Sequence, residues 1–145
     1  MADMAVTSTN VRALKEYGAV TIPGVSGASL TVGYTAYMNS SKQWIHADAN
    51  VSQAVATVQG IIVESFDGED TVASGAACTV CILGPVVGFD ALTAGSIYWQ
   101  SANVGRIADA DPGSGSFTRV VGEGIAIAGT VCLNVRPTYT GAASN

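Results

Sequence analysis

Three patterns in this chain have the residue types that chemistry needs. Cys78-Thr79-Val80-Cys81 has the spacing of a redox or metal-binding pair; in such pairs both sulfurs meet, usually at a helix N-terminus that lowers the thiol pKa. His46-Ala47-Asp48 supplies an imidazole and a carboxylate, two parts of a nucleophile-activating triad that any of the serines would complete. Asp67-Gly68-Glu69-Asp70 and Asp109-Ala110-Asp111-Pro112 gather carboxylates of the kind that ligate hard cations.

None of the three has the context its chemistry requires. The cysteine pair lies in Ala77-Cys78-Thr79-Val80-Cys81-Ile82-Leu83, a strand-like run in which positions i and i+3 point to opposite faces, so the thiols diverge. A zinc site would need further ligands, and His46 is the only histidine. Buried, inert cysteines behaving as small apolar residues are the better reading. Three is an odd number of cysteines, which argues against a disulfide framework and for synthesis in a reducing cytoplasm. His46 has no G-x-S-x-G elbow to serve and reads as a strand residue beside Trp44. The acidic clusters lack the alternating ligands and terminal Glu of a calcium loop and read as solvated turns.

Phosphate and dinucleotide motifs fail as well. Gly122-Glu123-Gly124-Ile125-Ala126-Ile127 has Ile127 where a dinucleotide loop needs Gly or Ala, and no helix follows. Gly113-Ser114-Gly115-Ser116 has no following Lys to engage a phosphate. The expectation is a protein that is not an enzyme, with no catalytic residues, no cofactor and no metal. An enzyme built on Cys78 and Cys81 remains as a third class, and it predicts a low thiol pKa and reactivity in the folded state.

The elements around these residues are short and punctuated. Glycine or Pro-Gly signals recur at Gly75, Gly84, Gly88, Gly95, Gly105, Pro112-Gly113, Gly122 and Gly129. Strands this short and this regularly interrupted predict an all-β fold, a compact β-sandwich or small β-barrel, with at most one or two short helices. Parallel α/β is excluded by the lack of alternating amphipathic helices. Lys42-Gln43-Trp44-Ile45-His46-Ala47 alternates, setting Lys42, Trp44 and His46 on one face. Asn50–Gln59 predicts a helical turn or two. Asn10–Gly18 fits a short helix with Asn10 as N-cap and Gly18 past its end. Asp67-Gly68-Glu69-Asp70 predicts a tight turn. Residues 1–17 read as a flexible N-terminal arm, 18–137 as a single β-rich domain, and 138–145 as a small polar C-terminal tail.

Composition narrows the function classes. Charged residues are 12% of the chain and hydrophobic ones 48%, against roughly 25% charged in an average soluble protein. So thin a cover of charge points to surface buried against copies of the chain or another protein. Net charge is −5 and the six cations are scattered, so nucleic acid and anionic membranes are not expected partners. Met1-Ala2-Asp3-Met4-Ala5 has an acid and no apolar core, so it is not expected to be a secretory signal. Tyr98 and Trp99 are adjacent, so on a strand one faces the core and the other outward, where it would anchor an interface. Trp44, Tyr98, Trp99, Arg12 and Tyr139 are the candidate interface residues.

The order of these pieces carries a resemblance. Leu83-Gly84-Pro85-Val86-Val87-Gly88-Phe89 leads to Leu92-Thr93-Ala94-Gly95-Ser96-Ile97-Tyr98-Trp99, then Gly105-Arg106-Ile107 and Asp111-Pro112-Gly113. Arg119-Val120-Val121-Gly122-Glu123-Gly124-Ile125-Ala126 and Val131-Cys132-Leu133-Asn134-Val135-Arg136-Pro137 follow. This rhythm resembles the capsid decoration, or cement, proteins of tailed bacteriophages. Upstream, Gly18-Ala19-Val20-Thr21-Ile22 and Val32-Gly33-Tyr34-Thr35-Ala36-Tyr37 resemble the same family's opening strands. The resemblance implies a virion protein, made in the host cytoplasm and seated on the outer capsid surface. Its implied partners are the major capsid protein and itself, as a homotrimer or, alternatively, a dimer. A β-module of a phage tail, collar or fibre protein, receptor- or glycan-binding, is the second reading.

Overall fold

A computed structural model describes residues 2–143, with side chains described as far as Pro137. The fold is all-β: one curled antiparallel sheet forms a half-barrel, and the helical content is a single short α-helix and two 3₁₀ turns. In chain order the strands are β1 (Arg12–Ala13), β2 (Val20–Val25), β3 (Leu30–Thr31), β4 (Thr35–Met38) and β5 (Trp44–His46). Helix α1 (Gln53–Ala56) precedes β6 (Gly60–Ser65), β7 (Thr71–Val72) and β8 (Ala77–Val87). Then come β9 (Ile97–Gln100), β10 (Ile107–Ala108), β11 (Phe117–Ile127) and β12 (Thr130–Ala143). The main sheet runs β10-β9-β11-β12-β8-β6-β4-β5, with β1 and β2 also on β8, while β3 and β7 pair separately.

Strand β8 organises the whole. Its first half runs between β2 and β6, with Val80 opposite both Ile22 and Ile62. Its second half runs between β12 and β1, with Val86 opposite both Leu133 and Ala13. Flanked on both edges for much of its length, β8 buries Cys78, Val80, Cys81 and Val86, while Ala77 and Leu83 face solvent. The change of partners falls at Gly84, whose φ of +98° suits glycine and where a Cβ would lie 2.6 Å from the Ala19 Cα. Pro85 follows at the corner, where its missing N–H does least harm to the ladder.

One hydrophobic cluster runs through both halves, including Leu30, Ile61, Ile62 and Val80 on one side and Tyr98, Val121, Leu133 and Val135 on the other. The predicted turn at Asp67–Asp70 is present, with Gly68 at φ +77°. Helix α1 falls inside the expected Asn50–Gln59, and the Ser52 side chain caps it by accepting the Val55 N–H at 3.2 Å.

The N-terminal stretch departs from expectation. It is not a free arm: the Ala2 N–H donates to the Asp109 carboxylate at 2.8 Å, and the Met4 N–H to the Ile107 carbonyl at 2.9 Å. Farther on, Thr7 bonds to Gly88 and Leu14 to Pro85, each at 2.9 Å. Residues 2–14 thus run from β10, at one edge of the sheet, to β8, and cover edges that would otherwise stand open. Asn10 does not cap a helix. Two 3₁₀ turns, Ser8–Asn10 and Lys15–Tyr17, flank β1 instead, and Gly18 ends the second at φ +97°. So short a helix is marginal alone, and the edge of β8 offers its backbone better partners. In the expected tail, the backbone continues β12 as far as Ala143; Ser144 and Asn145 lie outside the described residues.

Candidate interface surfaces

The motifs that invited a chemical reading are dispersed by the fold. Cys78, Cys81 and Cys132 are all buried and unbridged, and burial pushes each thiol pKa up. Cys81 donates to the Leu83 carbonyl at 3.3 Å, a bond that partly opposes the shift. Both nitrogens of His46 are taken by backbone groups: Nδ1 donates to the Thr35 carbonyl at 2.9 Å, and Nε2 accepts the Thr31 N–H at 2.8 Å. That leaves neither nitrogen for a serine hydroxyl. Asp67 caps its own turn, accepting from the Ser65 hydroxyl at 2.7 Å and the Glu69 N–H at 3.1 Å, and these bonds hold its carboxyl below its ordinary value. Among the described residues no group of three or more His, Cys, Asp or Glu side chains is placed to hold a metal ion.

The candidate interface residues separate in the same way. Trp44 is a core residue, 2% exposed, because β5 lies across the end of β2 and the indole packs on Gly24. A side chain at Gly24 would collide with that ring. The expectation that Trp44 serves an interface is therefore corrected. Tyr98 and Trp99 follow the adjacency argument: Tyr98 is buried, its hydroxyl accepting the Thr93 N–H at 2.7 Å, while Trp99 is half-buried. Tyr98 is thereby excluded as a contact residue, and Trp99 remains. Arg12 is exposed and stands between two open grooves. The larger, about 570 Å³, lies between Leu14 and Tyr17 on one side and Phe89, Asp90 and Ile127 on the other. The smaller, about 270 Å³, lies between Lys15 and Glu16 on one side and Glu64 and Thr79 on the other. The backbone of Tyr139 pairs with Arg119; its side chain lies outside the described ones.

Two features escape a linear reading. Val25 and Ala77 are directly opposite on β2 and β8, and Phe66, just past β6, donates its N–H to the Ala77 carbonyl at 3.2 Å. All three are exposed, Phe66 at 70%, so an apolar row crosses three adjacent chain segments facing solvent. Nothing local marks Phe66, since its neighbours in space come from distant parts of the sequence. Arg119, read as one of the scattered cations, is 1% exposed, its guanidinium donating to the Thr118 carbonyl at 2.8 Å and lying 5.9 Å from the Phe117 ring. The signal existed: Arg119 stands two residues from the core residue Val121 on one strand.

Comparison with protein-family models, with curated proteins and with solved structures found no match to the chain.

Proposed function

We propose that the chain is a structural protein of a virion, a decoration protein that binds the outer surface of a tailed-phage head and stabilises the capsid lattice. The observation that carries this reading is the solvent-facing apolar row of Val25 on β2, Ala77 on β8 and Phe66 just past β6, in a chain with only 12% charged residues. Clustered apolar side chains on a poorly charged surface favour burial against protein. The Gly-punctuated strand order that resembles the decoration family adds to it. Each contact need only be modest, because a lattice fixes many identical sites and repeated engagement multiplies their effect. In this reading the chain has no catalytic centre; the fold serves to hold a docking surface still.

The test is quantitative mass spectrometry of purified particles of the encoding virus, reporting copies of this chain per major capsid protein. A ratio near one fits head decoration. A handful of copies per particle would instead favour the tail, collar or fibre module, for which half-buried Trp99 is the aromatic to examine. Absence from particles would end the virion reading.

A further inference from the structure

His46 joins two parts of the molecule that share no other ladder. Its imidazole sits on β5, and its Nε2 accepts the backbone N–H of Thr31, the last residue of β3. The β3–β7 pair is not part of the main sheet, and it carries Leu30 and Val72, directly opposite each other and buried to 1% and 0% exposure. The partners dictate the tautomer. A carbonyl can only accept, so Nδ1 bears the proton toward Thr35; an amide N–H can only donate, so Nε2 must present its lone pair to Thr31.

We infer that the His46–Thr31 bond is an acid-released latch, holding the β3–β7 pair closed over the core while the imidazole is neutral and letting it open when the ring takes up a second proton. An added proton on Nε2 would face the Thr31 N–H across 2.8 Å, two donors without an acceptor between them, and the pair must separate. The Thr35 carbonyl is the one hydrogen-bond acceptor shown for an imidazolium here, and it already serves the neutral ring. Both ring nitrogens are bonded to backbone, and no carboxylate is bonded to either. The Tyr34 ring lies 5.2 Å away, and the Arg106 cation sits 5.5 Å from that ring. Of the acids close in sequence or pairing, Asp48 accepts the Asn50 N–H, and the Asp70 backbone carbonyl accepts the Val32 N–H just past β3.

Burial lowers the His46 pKa below 6.5, with the bond to Thr35 opposing it in part. The unfolded or opened chain therefore binds the proton first. The latch contributes fully above 6.5 and is lost as the pH falls through the lowered value. Opening uncovers Leu30 and Val72, so mild acid would expose apolar surface at this end of the molecule. This holds whether or not the chain decorates a capsid.

The experiment is an NMR titration of the intact protein from about pH 7 to about pH 4, carried below the ordinary histidine range because burial lowers this pKa. It follows the His46 ring nitrogens and the exchange protection of the Thr31 amide, corrected for intrinsic rate. The expected result is an unprotonated Nε2 at neutral pH and a loss of Thr31 and Val72 protection of about tenfold or more at the His46 midpoint, with β8 still protected. His46→Gln keeps an acceptor for the Thr31 N–H but does not titrate, and it should remove that step. Protection at Thr31 that ignores the His46 titration overturns the latch, as does an unchanged acid step in His46→Gln. Should that variant fail to fold, the agreement or mismatch of the two wild-type midpoints decides alone.

Discussion

Gln100 of β9 accepts the hydroxyl proton of Thr35 of β4 at its Oε1 and donates from Nε2 to the Ala47 carbonyl at 3.1 Å, with both side chains fully buried. β9 lies on one side of β8 in the sheet order and β4 on the other, so this is a polar tie across the interior of the half-barrel. A buried polar group is stable only while its partner is present. Thr35→Val should therefore lower stability by about 1–3 kcal/mol, the desolvation cost of an orphaned amide oxygen. Urea denaturation should show a lower midpoint at unchanged slope.

Removing residues 2–14 should damage the fold and not merely shorten it. Val11 and Leu14 are buried, and the loss of these two side chains alone is worth about 3–6 kcal/mol. The deletion would also bare the edges of β10 and β8. A thermal melt and size-exclusion chromatography should show a sharply lower Tm with self-association; a monomer of native Tm would contradict this account of the segment.

At the corner of β8, Gly84→Ala should be among the most damaging small substitutions. It combines about 1–2 kcal/mol of left-handed backbone strain with a Cβ 2.6 Å from the Ala19 backbone. Gly68→Ala, at φ +77° in open space, bears the strain alone and serves as the control. The difference between the two in chemical denaturation measures the close approach.

The cysteines test the third function class. With each thiol pKa raised by burial, the reactive thiolate is scarcer at neutral pH than in a free thiol. A chromogenic disulfide reagent should find essentially no reactive thiol in the native protein and all three in denaturant. Rapid native labelling of Cys78 or Cys81 would revive a redox role.

If the apolar row docks, Val25→Ser and Phe66→Ser should separate binding from folding. Phe66 is 70% exposed and Val25 45%, so Phe66→Ser should move stability by no more than about 0.5 kcal/mol and Val25→Ser by about 1 kcal/mol. Binding to expanded heads, measured by co-sedimentation, should fall together with the number of row residues replaced. Undiminished binding by the double variant would place the contact elsewhere, with Arg12 and Trp99 next in turn.

The fold class was legible because glycine spacing and short alternating runs are local signals. Gly68 and Ser52 do locally what their residue types predict. What escaped was set by distant partners. Nothing in Asn10–Gly18 says that the edge of β8 waits for it. Trp44 looked like a surface aromatic because its burial depends on Gly24, a residue on another strand that leaves room for the ring. Phe66 carries no local mark, and only its bond to Ala77, itself opposite Val25, gives it apolar company in the solvent.

The way residues 2–14 are held has a consequence for the order in which the protein folds. Ala2 finds its partner in Asp109, 107 positions later, and β1 must await Val86 and Val87. Residues 2–14 have nothing to dock on until β8 and β10 are in place, and contacts between positions so far apart in sequence belong to the slow, non-local steps of folding. During that interval its apolar residues Val6, Val11 and Leu14 stay exposed in the cell. A segment that closes sheet edges is thus among the last parts of the fold to be put in place.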